Sequence, residues 1–307
     1  MQHSIVFGER IDQLGPDAYR CKRVFTFSKG GVAAGTVLSE GQWEDYRAAA
    51  SSLYAFGGGT QLLADSSANF NEFAGAFNEL QQSMVEDPAS GPRCRELTRL
   101  INRRLSNYLS SMRLFLDYTE RRLKRTYSPE SHEVAEFKAV CSGIFDSDFS
   151  YRFAWKLRNY AQHFGMPIGT VTSTEKIVPG PREGRACSTT VAFDVEGLLL
   201  NGRGRWGPVQ KDLEARAPSI DVASVMRDVP KALNSIQDQL VVIEREQLLS
   251  SETVVRATLG VDDGSLRSMA VGEYEDHGDR TGITFDDPPA EVIEYLAPRL
   301  DRSTGPA

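Results

Sequence analysis

The stretch from Arg93 to Arg125 constrains the fold more than any other part of the chain. At about 100° per residue, Leu97, Ile101, Leu105, Tyr108, Leu109, Met112, Phe115, Leu116 and Leu123 fall within one apolar arc. A helix with a continuous apolar face of that length must bury it against other helices or a sheet. The opposite face is basic. Ten cationic residues stand in this stretch against only Glu96, Asp117 and Glu120, a local net charge of +7 in a chain whose overall charge is −7. Arg95, Arg99, Arg103, Arg113, Arg121 and Arg125 are the residues this face offers to a polyanion such as an RNA backbone. The same pattern also describes an ordinary solvated helix face balanced by acidic neighbours.

Around this helix the periodicity predicts a mainly α protein: an up-down helical bundle with an N-terminal α/β segment and a small β-hairpin insertion. Residues 1–69 mix a strand-like piece at Arg23-Val24-Phe25-Thr26-Phe27 with glycine turns at 30–35 and 57–59. They also hold one helix, announced by the capping-box pattern Ser39-Glu40-Gly41-Gln42. Residues 70–167 form the bundle: helices over 70–86, about 93–126, one carrying Val134, Phe137, Cys141, Ile144 and Phe145 inward, and about 148–163. Over 168–207 the period changes to two, which predicts a β-hairpin with its turn at 179–185. Helices return over 208–252, with Leu233, Ile236, Leu240 and Ile243 on one stripe, and 253–307 reads as an acidic, turn-rich segment.

Chemistry concentrates in Arg158-Asn159-Tyr160-Ala161-Gln162-His163. Asp146 or Ser147 is placed to cap its helix, while Phe149, Phe153, Leu157, Tyr160 and Phe164 trace the apolar stripe. Gly165 and Pro167 stop it, which sets His163 in the last turn. Asn159 and His163 are i and i+4 and share a face. Arg158 is rotated by about 100° from Asn159, but its long side chain can swing back. An imidazole that moves protons near neutrality and a guanidinium that holds phosphate are the parts RNA cleavage requires.

Arg-Asn-x-x-x-His near the end of the last helix of a four-helix bundle resembles the signature of HEPN-domain proteins, over roughly residues 92–165. Many of that family are metal-independent endoribonucleases of toxin, phage-defence and RNA-processing systems. The resemblance implies Arg158 and His163 as catalytic residues, Asn159 as their polar companion, and a site completed across a homodimer. It implies RNA as partner and no cofactor; a toxin of this kind is compatible with a neutralising protein, of which the sequence carries no sign. The competing expectation is a non-catalytic helical interaction or dimerisation module, in which Arg158 and His163 make structural hydrogen bonds.

Other patterns carry less. Gly202-Arg203-Gly204-Arg205-Trp206-Gly207 spells G-x-G-x-x-G, but Pro208 follows at once and helix follows helix, so a tight turn is expected rather than a dinucleotide loop. Its two arginines remain free to touch RNA. Glu273, Glu275, Asp276, His277 and Asp279 form an acidic cluster among glycines, expected to be a solvated loop and not a metal centre. The four cysteines, Cys21, Cys94, Cys141 and Cys187, are scattered without Cys-x-x-Cys, which points to a reducing, cytoplasmic setting. No apolar run approaches a membrane span, so no membrane partner is expected.

Overall fold

The computed structural model describes residues 2–6, 21–29, 31–86, 91–178, 184–262, 265–276 and 281–302. The protein is mostly helical. In chain order its elements are β1 (Gln2–Val6), β2 (Arg23–Ser28), β3 (Gly31–Val37), α1 (Glu40–Glu86), α2 (Gly91–Tyr127), α3 (His132–Ser147) and α4 (Phe149–His163). There follow β4 (Ile168–Val178), β5 (Gly184–Asp194), α5 (Val195–Asn201), α6 (Val209–Glu214), β6 (Ser219–Asp221), α7 (Val222–Met226), α8 (Val229–Ile243) and α9 (Arg245–Leu259). The last are β7 (Met269–Asp276), β8 (Thr281–Asp286) and α10 (Ala290–Arg302). No helix among the described residues is long and apolar enough to cross a membrane.

Compactness groups the chain differently from the five segments expected. One unit combines residues 1–58 with 241–307, and the other holds residues 59–240. In the first, an antiparallel sheet of order β1-β8-β7-β2-β3 joins the two ends of the chain. Phe25, Ala270, Tyr274, Ile283 and Phe285 form its core, with Phe25 edge-on to both Tyr274 and Phe285. The C-terminal segment is therefore sheet and helix, where turns were expected. Glu273 and Glu275 alternate along β7 with buried Tyr274, so Tyr274 packs into the core from the face opposite these two carboxylates.

Helix α1 begins as its capping box requires. Ser39 Oγ accepts from the Gln42 N–H at 3.2 Å, and Gln42 Oε1 accepts from the Ser39 N–H at 2.9 Å. It then continues without a break through Gly57–Gly59 to Glu86, so the glycine turn expected there and the separate 70–86 helix are one element. The reason is packing. A Cβ on Gly57 would stand 2.4 Å from Val292 Cγ2, so this glycine lets α1 approach α10 inside the first unit.

In the second unit all nine arc residues of α2 are buried, the least so being Leu116 at 3 % exposure. Phe70 meets Tyr108, Glu72 pairs with Arg104, and Glu79 pairs with Arg93 at 2.8 Å, so α1 and α2 run antiparallel. Helix α4 also runs against α2. Trp155 lies under Arg113, while Ile168, just past the end of α4, reaches Asn102. An α4 parallel to α2 would carry the chain away from Asn102 farther than the five residues after His163 can recover, at most roughly 17 Å. Strict up-down alternation of four successive helices would have made α2 and α4 parallel. Asp148 explains the departure: it is at once the C-cap of α3 and the N-cap of α4, and one residue is too short to close an antiparallel hairpin. The expected β-hairpin is present as β4 and β5, with β6 added to its edge.

Candidate active site

Helix α4 owes its position to its caps and its apolar stripe. Asp148 Oδ1, rather than Asp146 or Ser147, accepts from the Tyr151 N–H at 3.0 Å. Phe153, Leu157 and Tyr160 are buried. At the other end the Phe164 N–H returns to the Tyr160 carbonyl at 2.8 Å, and Gly165 takes a φ of +127°, a value that favours glycine.

His163 is thus the last helical residue, and both it and Asn159 are exposed. Arg158 is half-buried. It does swing toward Asn159: its Nη1 donates to Asn159 Oδ1 at 3.3 Å, while its Nε is buried with no hydrogen-bond partner among the described residues. The His163 ring has Phe164 edge-on at 6.4 Å, and among the described residues it makes no hydrogen bond or ion pair. Two large apolar side chains stand exposed beside it, Phe164 at 42 % and Met166 at 66 %.

The segment from α5 to α6 lies along α4 beside the face that carries Asn159 and His163. Arg152 pairs with Asp212 at 2.8 Å, a Cβ on Gly207 would meet Lys156 Nζ at 3.6 Å, and one on Gly202 would meet Tyr160 Cδ2 at 3.1 Å. The hydrogen bond from Arg152 holds the Asp212 carboxyl below the usual carboxylate range. Trp206 anchors the turn. Its ring stacks on Tyr160 at 5.6 Å and Phe153 at 6.0 Å, and its Nε1 donates to the Leu198 carbonyl at 2.9 Å. The G-x-G-x-x-G stretch is therefore a turn between helices, as expected, and Gly202 is a glycine because Trp206 Nε1 would stand 2.7 Å from its Cβ. Lys156, Asn159 and His163 share one helical face here. Sequence reasoning gave Trp206 no role; the signal was an aromatic residue inside a polar, glycine-rich turn.

The α2 arginines are arranged less simply. Arg95, Arg99, Arg103, Arg121 and Arg125 are exposed. Arg113 departs from the solvated face, because its guanidinium lies 3.9 Å over the Trp155 ring and pairs with Asp117 at 2.8 Å. Of the other cations in this helix, Arg93 binds Glu79 and Glu96, Lys124 binds Glu120 at 2.7 Å, and Arg122 is buried. Of these six site candidates, Arg113 contacts α4 through Trp155.

A cavity of about 330 Å³ lies between α3 and α4, lined by Cys141, Ser142, Phe145, Asp146, Tyr151 and Trp155. Burial pushes the Cys141 thiol up to about 12, so it is no nucleophile near neutrality. In the acidic cluster, Glu273 pairs with Lys22 at 2.8 Å and Glu275 accepts from the Thr284 hydroxyl. His277 and Asp279 lie outside the described residues, and no group of three metal-binding side chains occurs among the described ones. Comparison with protein-family models, curated proteins and solved structures gives no match.

Proposed function

We propose that this protein is an endoribonuclease of HEPN type that cuts RNA at the C-terminal end of α4, by attack of a ribose 2′-oxygen on the adjacent phosphate. The observation that carries the reading is the exposure of Asn159 and His163 on one face, with the Arg158 guanidinium turned onto Asn159 at 3.3 Å. His163 takes the proton from the 2′-hydroxyl, a role typically worth 10²–10⁴-fold. Arg158 faces the charge that develops on the phosphorane oxygens, and Asn159 orients it. The 5′-oxygen leaves as its bond to phosphorus breaks, and His163 of a second copy protonates it. The products are 2′,3′-cyclic phosphate and 5′-hydroxyl ends. Base, acid and phosphate clamp all come from side chains, so the proposed reaction runs without a metal.

Exposed Phe164 and Met166 beside the motif support a homodimer built across this end of the helix, since a second copy would cover them. The exposed arginines of α2 supply further contacts for the RNA backbone. A cytoplasmic role in a toxin or phage-defence setting belongs to the same reading.

One observation favours the alternative, an interaction module without catalysis. A buried Arg158 Nε and an Arg158–Asn159 hydrogen bond are also what a structural arginine shows. Labelled RNA incubated with the protein in excess chelator separates the two. Cyclic-phosphate ends formed by the parent protein, and lost in Arg158→Ala and His163→Ala, are the expected result. Cleavage by His163→Ala at the parent rate would overturn the assignment.

A further inference from the structure

The turn Gly202–Gly207 and the adjacent face of α4 share a feature that the α2 surface has only in part. Arg203 and Arg205 are exposed, Lys156 is half-buried with its Nζ against Gly207, and none of the three makes an ion pair among the described residues. On α2, by contrast, Arg93, Arg104, Arg113 and Lys124 are each neutralised by a carboxylate. The turn is also rigidly placed. Trp206, 1 % exposed, stacks on Tyr160, and Gly202 has no room for a Cβ against Trp206 Nε1 and the Leu198 carbonyl. Gly204, at φ +75°, separates the two arginines without packing against anything.

The chain of contacts gives the direction. Asp212 meets Arg152, Gly207 meets Lys156, and Gly202 meets Tyr160, so the turn ascends α4 toward its C-terminal end and stops one helical turn short of His163. Unpaired guanidiniums on a fixed turn, in line with a lysine and an exposed imidazole, suit the phosphates of an extended strand. We propose that Arg203, Arg205 and Lys156 form the track that binds the backbone of single-stranded RNA and leads it to His163. This deepens the nuclease reading and rests on it for the strand's destination, but not for the binding itself.

Binding is therefore measured apart from cleavage. A fluorescein-labelled single-stranded oligoribonucleotide is titrated by anisotropy against His163→Ala, and against the same protein carrying Arg203→Ala and Arg205→Ala. Removing two phosphate contacts should weaken binding by tenfold or more at about 0.1 M salt and reduce the salt slope by about 1.4. Arg95→Ala with Arg99→Ala serves as a charge-matched comparison and should cost less. Both arginines of the turn are exposed, so the melting curve should not move; Arg203→Lys with Arg205→Lys, which keeps the charge, should restore most of the binding. Unchanged affinity and slope in the alanine variant overturn the proposal, as does a parent that binds an acidic peptide but no oligoribonucleotide. If the turn binds RNA in this way but the protein with His163 intact leaves no cleaved ends, the track stands and the nuclease reading falls.

Discussion

The carboxamide of Asn102 hydrogen-bonds both backbone groups of Ile168: its Oδ1 accepts from the N–H at 3.0 Å and its Nδ2 donates to the carbonyl at 3.0 Å. Both residues are 3 % exposed. A side chain in the middle of α2 thus imitates a neighbouring strand and fixes the first residue of β4, just past Gly165. The end of the motif helix is held from outside by this pair. Sequence reasoning passed over Asn102, although a polar residue beside Ile101 on a buried arc was the visible sign.

Replacing Asn102 by Ala should leave the Ile168 N–H and carbonyl buried without partners. Stability should fall by about 2–3 kcal/mol, read as a lower urea midpoint, with faster amide exchange at Ile168. Asn102→Asp retains the acceptor and loses the donor, so it should not restore the loss. A midpoint equal to that of the parent in both variants would show that water replaces the amide.

Two glycines of α1 should respond in opposite senses to the same substitution. Gly75 has open space around it, so Gly75→Ala should stabilise the protein by about 0.5–1 kcal/mol. At Gly57 the new methyl would meet Val292 Cγ2 at 2.4 Å, on a β-branched side chain with little rotamer freedom in a helix. Gly57→Ala should therefore cost about 1–3 kcal/mol, with most of it recovered when Val292→Ala is added. Equal shifts at both glycines would contradict the close approach of α1 and α10.

Alkaline pH should destabilise the fold. Burial pushes the Cys141 thiol up from its ordinary value near 9 to about 12, and the Tyr54 hydroxyl up from near 10 to about 12. Burial raises Tyr46, Tyr108 and Tyr151 as well. In each case the folded value lies above the unfolded one, so the stabilisation is complete below the unfolded value and is lost as pH rises toward the folded one. Urea midpoints should be level up to about pH 9 and fall steadily from there to pH 12. Absorbance at 295 nm should show these tyrosines ionising together with loss of helicity by circular dichroism. A midpoint at pH 11 equal to that at pH 8 is the outcome that excludes the effect.

Much of the secondary structure was legible because its causes are local. Side-chain periodicity placed the buried arc of α2, Ser39 and Gln42 marked the start of α1, and alternation revealed the β4–β5 hairpin. The misreadings share one origin. Gly57–Gly59 looked like a turn because glycine weakens a helix on its own, whereas here Gly57 makes room for Val292 from the far end of the chain. The C-terminal acidic stretch looked like a loop because its β7–β8 hairpin is flanked on both edges by β2 and β1, from near the other end of the sequence. At the candidate site, the order Arg158, Asn159 and His163 fixed which face each occupies, since helical spacing is set by the backbone alone.

What the sequence determined by itself is this local layer: helices with their apolar faces, the caps, the hairpin, and a motif whose Asn159 and His163 share one side. Only the tertiary structure decided what stands opposite. It turned Arg113 from a solvated cation into a lid on Trp155, and set α4 against the direction of α2. It also brought the Gly202–Gly207 turn onto the motif helix through Trp206. The division follows from range: backbone geometry and capping act within a few residues, whereas burial and charge pairing depend on segments that meet only after the chain has folded.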